Sequence, residues 1–175
     1  MKTKTGILSL VILAATVGYL IIPETVKAAD SAEVTKLLAD AKATAVELNA
    51  DSADMEHYTR SELSWKSYAH KLEMITGHIN DTGRLLAKLK DAEATGSPWQ
   101  QATIKRIEPL LQEIADNITA TIKHLNDNQA RVHLPAFRDF VKANHELTAE
   151  LEALIRDSVN YGKAKEKFEG LEASQ

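Results

Sequence analysis

Trp65, Tyr68, Leu72, Ile75, Ile79, Thr82, Leu86 and Leu89 are separated by alternating steps of three and four residues. Apolar residues at that spacing line one side of an α-helix, and so long a stripe is stable only when other helices cover it. The constraint is severe, because a chain that contains such a coiled-coil-like seam must supply matching helical seams elsewhere.

The rest of the sequence supplies them. Val34, Ala41, Leu48 and Met55 recur every seven residues with Leu37, Leu38 and Ala45 between them, and Asp30 or Ser31 can cap the start of that helix. In "TGSPWQQ" (95–101) Ser97 can cap, Pro98 suits the first helical position and Gln100 can reach back as in a capping box. The helix that starts there has its seam at Ile104, Ile107, Leu111, Ile114, Ile118, Thr121 and Leu125, and Pro109 is expected to bend it. After "NDNQARVH" (126–133), Pro135 opens a last helix whose seam is read as Phe140, Leu147, Leu154, Tyr161 and Phe168, running to about residue 170 with a weak point at Gly162. Four helices of similar length with short connections predict an all-α, antiparallel up-down-up-down four-helix bundle over residues 29–175. Thr82, Thr121, Asn144 and Ser158 interrupt the seams as register-setting or backbone-bonding polar residues.

Residues 1–28 stand apart from this pattern. Lys2 and Lys4 precede the uncharged run "GILSLVILAATVGYLII" (6–22), and "VKA" (26–28) offers small residues where a signal peptidase cuts. The expectation is a signal peptide, with a periplasmic or secreted chain beginning at Ala29 or Asp30. The alternative is an uncleaved N-terminal anchor that holds the bundle at the membrane, facing outside the cytoplasm. Removing this segment takes away Lys2, Lys4 and Lys27 but only Glu24, so the remainder is more acidic than the full chain's net charge of −4. Such a balance argues against a nucleic-acid partner, which requires clustered cations. Zero cysteines exclude disulfides, thiolate metal sites and thiol nucleophiles, leaving packing as the source of stability.

"YAHKLEMITGHI" (68–79), with two histidines and a methionine, invites a metal or haem reading. His70 and His78 are eight residues and about 12 Å apart along a helix, too far to clamp one ion, and Met74 reads as a packing residue. An up-and-down path would gather His57, His70, His124, His133 and His145 in one half of the bundle. His57, His124, His133 and His145 are therefore the candidate metal ligands, although ligation requires inward-facing side chains and most of these point outward or to the flank. No histidine has a glutamate three residues before it, as di-iron bundles require. There is no Gly-rich phosphate loop, G-x-S-x-G elbow or H-E-x-x-H pair, so no catalytic residue is assigned.

Two stretches, "SPWQQATIKRIEPLLQEIADNITATIKHLNDNQARVHLPAF" (97–137) and "NYGKAKEKFEGLE" (160–172), resemble a group of small exported helical proteins of acidobacterial type that have no assigned activity. The resemblance implies export and an all-α fold and transfers no site residues. The chain is also similar in general architecture to periplasmic four-helix cytochromes, whose haem is held by a methionine of the first helix and a histidine late in the last. No histidine follows His145, so that ligand is missing and no cofactor is expected.

The sequence thus reads as a non-catalytic binding or structural module of the cell envelope, with an unidentified protein or small-molecule partner. The alternative is a periplasmic metal- or cofactor-binding bundle using the histidine-rich pole. Self-association is a third expectation, because Ala39, Ala41, Ala43 and Ala45 make a small-residue stretch on the first helix. N-terminal sequencing of protein from its native host checks the export reading: a start at Ala29 or Asp30 is expected, and intact Met1 in the membrane fraction would replace it with the anchor.

Overall fold

The computed structural model describes residues 29–174 except Glu62 and His133; the predicted signal or anchor segment therefore lies outside the described residues. Four α-helices make up the described chain: α1 (Ala32–Tyr58), α2 (Trp65–Ala92), α3 (Pro98–Asp127) and α4 (Pro135–Glu172). Short 3₁₀ turns at Glu93–Thr95 and Gln129–Arg131 lead into α3 and toward α4. α1 packs against α2 and α4, and α3 packs against the same two. Among the described residues no helix is long and apolar enough to cross a membrane.

The helix starts follow from local chemistry. Ser31 caps α1 by accepting from the Val34 N–H, and Ser64 caps α2 by accepting from Ser67. Pro98 and Pro135 occupy the first position of α3 and α4, where a helix has no use for an N–H. α3 continues through Pro109, and α4 continues through Gly162.

The core is built from the expected seams on three helices. Val34, Leu38, Ala41, Ala45, Leu48 and Met55 of α1 are buried, as are Tyr68, Leu72, Ile75, Ile79, Thr82 and Leu89 of α2. On α3 every predicted seam position from Ile104 to Leu125 is buried. In the alanine stretch of α1, Ala41 and Ala45 enter the core while Ala39 and Ala43 face outward.

α4 departs from expectation in two ways. It has 38 residues against 27, 28 and 30 in the others, so the helices are not of similar length. Its buried face is Phe137, Val141, Asn144, Thr148, Leu151, Ile155 and Val159, not the predicted row. Phe140, Leu147 and Leu154 lie half-buried on the flank, and Tyr161 and Phe168 are exposed. The row is offset from its first member: Phe140, Leu147 and Leu154 each stand one residue before a buried position, Val141, Thr148 and Ile155, so the repeat runs beside the core and not in it.

Most polar side chains inside the bundle are bonded, some across helix pairs and others back to their own helix, while Ser97 Oγ and Asp51 Oδ2 are buried without a hydrogen-bond partner among the described residues. The Asn144 amide donates to the Thr121 hydroxyl (2.9 Å), its carbonyl oxygen accepts from Asn117 (2.9 Å), and the Thr121 hydroxyl donates to the Asn117 backbone carbonyl (2.7 Å). Thr82 bonds back to the His78 carbonyl, and Ser158 to that of Leu154. The completely buried Gln100 joins two helix starts. Its Oε1 accepts from the backbone N–H of Ser31 and of Ser97, each at 2.9 Å, and its Nε2 donates to the Ser31 carbonyl and the Thr35 hydroxyl, each at 3.0 Å. Gln100→Leu would leave those two N–H groups unpaired and should destabilise the fold by about 2–3 kcal/mol in denaturant titration. A change below about 0.5 kcal/mol would show that the bridge is dispensable.

Candidate functional site

The predicted histidine cluster is dispersed by the helix packing. His145, on α4, is half-buried with its Nδ1 2.5 Å from the Glu56 carboxylate, tying α4 to the last turns of α1. His57 lies edge-on to its neighbour Tyr58 at 6.1 Å between ring centres. His124 lies against Phe137 and Phe140, at 6.3 and 5.3 Å, covering the start of α4. His133 lies outside the described residues. His70 is exposed beside Glu73, whereas His78 approaches Asp51 at 3.2 Å and Glu47 at 3.6 Å between α2 and α1. Among the described residues no group of three or more His, Asp or Glu side chains is arranged to hold a metal ion. Met74 is exposed, so its predicted packing role is also corrected.

The feature that sequence reasoning missed lies between α3 and α4. Three open depressions of about 390, 510 and 580 Å³ follow one another along this face. Neighbouring depressions share walls: Arg106, Leu154 and Asp157 line the first two, and Glu113 and Glu150 line the second two. They form one groove from Trp99 to Asn117 on α3, about 27 Å at 1.5 Å per residue. Leu147, Leu154 and Tyr161, members of the misassigned α4 row, contribute its apolar wall. Glu113, Asp116, Glu146 and Glu150 crowd the Asn117 end, and Lys105 and Arg106 stand toward the Trp99 end. The apolar row was visible in the sequence. The carboxylates were not, because they come together only when α3 and α4 pair.

A clamp closes the Trp99 end. The Trp99 ring sits edge-on to Tyr161, with centres 5.3 Å apart, and against the bare backbone of Gly162, where a Cβ would lie 3.1 Å from it. Gly162 is thus a seat for the indole and not a weak point in α4. Trp99 Nε1 donates to Asp30 at 2.7 Å, and the Lys165 ammonium meets the same carboxylate oxygen at 2.7 Å. Burial alone would raise the Asp30 pKa, but the hydrogen bond from Lys165 and that from Trp99 outweigh it and hold the carboxyl below its ordinary 3.8. The hydrogen bond to Asp30 correspondingly holds the Lys165 ammonium above its ordinary 10.5.

Compared with protein-family models, curated proteins and solved structures, the chain matches none. The resemblance to exported helical proteins therefore rests on the quoted residues alone.

Because the folded state lowers the Asp30 pKa, its ionic contribution is present above about pH 4 and is lost as pH falls through the lowered value. Asp30→Asn should cost on the order of 1 kcal/mol at pH 7, because solvent at the rim of the bundle still screens this mostly covered pair. Denaturant titrations of both proteins at falling pH should show the gap closing below pH 3.8. A gap that stayed constant to pH 2 would remove the ionic role of the clamp.

Proposed function

We propose that this chain is an exported, non-catalytic helical bundle of the cell envelope that works by binding another molecule on its α3/α4 face. The observation that carries the reading is the groove itself, where apolar side chains of α4 line an open face beside carboxylates. Export is supported by Lys2 and Lys4, the uncharged run at 6–22 and the "VKA" site. The four helices are inferred to run up-down-up-down. Support comes from Tyr68 of α2 donating to the Tyr58 carbonyl at the end of α1, from Glu56 pairing with His145 early in α4, and from Asp30 pairing with Lys165 late in α4.

A partner-binding role needs a rigid face more than it needs reactive groups. The Asn117–Asn144–Thr121 chain and the Thr103 hydroxyl, which donates to Ser158 at 3.1 Å, hold α3 and α4 in fixed register beneath the groove. A preorganised surface loses little conformational entropy on association.

A photoreactive side chain at Ala153, in the middle of the groove, should give a discrete cross-linked adduct when the protein is expressed in its native host. The same group at Glu33, which is exposed at the start of α1, should give none. Equal labelling from both positions, or none from Ala153, would overturn binding at this face.

A further inference from the structure

Resting on that reading, we propose that the α3/α4 groove receives a cationic amphipathic helix from a partner protein. Three independent features specify the occupant. The first is shape: a groove of about 27 Å between two helices matches the length of a helix of roughly 18 residues. The second is the pattern of its wall. α4 carries two apolar registers; the core uses Phe137 to Val159, and Leu147, Leu154 and Tyr161 follow a seven-residue repeat on the groove side. A seven-residue apolar repeat is the arrangement that an added helix packs into, and the bundle leaves this one half-covered.

The third feature is charge, which separates a cationic helix from other occupants. Glu113 and Glu150 line the same two depressions, are exposed, and have no ion-pair partner among the described residues. Glu146 and Asp157 on this face are neutralised, Lys142 lying 3.1 Å from Glu146 and Arg156 3.3 Å from Asp157, whereas Asp116 accepts from the neutral Gln112 amide and has no ion pair among the described residues. Three carboxylates without an ion pair, Glu113, Asp116 and Glu150, beside an apolar wall favour lysine or arginine flanking an apolar seam. A second copy of this chain would bring its own acidic rim, so the charge favours a foreign helix over self-association. Lys105 and Arg106 give the groove a gradient, placing the incoming cations toward its Asn117 end.

The test uses the full chain with Trp65→Phe, in which Trp99 is the one remaining tryptophan and reports from the groove end. The probe is a synthetic helix of roughly 18 residues with leucines on one face and flanking lysines, together with a twin carrying glutamates instead. Saturable one-to-one binding of the lysine peptide is expected, at least about tenfold weaker in 0.5 M than in 0.05 M salt. Glu113→Lys with Glu150→Lys should weaken it at least about tenfold, while Glu33→Lys with Glu73→Lys should leave it unchanged. The proposal is overturned by equal binding of the glutamate twin, by full affinity in the Glu113/Glu150 variant, or by no binding of the lysine peptide. It is also overturned if light scattering shows a dimer that Leu154→Lys dissociates, since the occupant would then be a second copy. An Ala153 adduct in cells combined with no binding of the lysine peptide would retain the binding role and eliminate the cationic helix.

Discussion

Apolar seams drive helices together but are nearly indifferent to where each helix stops along its neighbour, because a slip of seven residues re-forms a similar interface. A cysteine-free bundle must therefore set its register with directional bonds, and Gln100 supplies them at one pole. Four hydrogen bonds from one buried amide join the N-cap of α1 to that of α3. Sliding α1 along α3 would break the three that reach Ser31 and Thr35, leaving the buried Gln100 amide without those partners. Asn144 does the same between α3 and α4 near mid-bundle. The polar ties across α1 and α4, Asn49 to Glu152 and Glu56 to His145, fall into place once those two registers are set.

Three helices were legible in the sequence because each carries a single apolar seam, and two of them, α1 and α3, also have a recognisable start. α4 was legible as a helix, with Pro135 at its head, but not as a face. Its row at Phe140, Leu147, Leu154, Tyr161 and Phe168 is more conspicuous than the one it buries, because aromatics and leucines stand out while Asn144 and Thr148 do not. Thr148 is fully buried and pairs with the His145 carbonyl, which a composition-based reading treats as a surface trait. The groove was invisible for a different reason. Glu113 and Glu150 are 37 positions apart in the sequence and meet only through the pairing of two helices, which no local pattern encodes. The histidines were the converse case: shared location in one half of the molecule suggested a site, but the direction of each side chain sends them to different neighbours.

The division of labour on α4 shows how a small bundle can combine stability with an open surface. Its buried register mixes Phe137, Val141, Leu151, Ile155 and Val159 with Asn144 and Thr148, and a second set of large apolar side chains sits on the flank. Exposed Tyr161, Phe168 and Leu171 extend that flank toward the end of the chain. Large apolar groups left half-covered carry a solubility cost, and the carboxylates on the same face offset it by keeping the patch hydrated.

The Asp30 clamp has a mechanical consequence. Asp30 precedes the first residue of α1, and its carboxylate is held by Trp99 of α3 and Lys165 of α4. Tension applied to the backbone at Ala29 is therefore shared among three helices before it reaches the first turn of α1. Peeling α1 away would require the indole and the ammonium to release together, whereas without the clamp the helix could unwind one hydrogen bond at a time. Placed at the point where the bundle meets the preceding chain, the clamp isolates the core and the α3/α4 face from strain arising upstream.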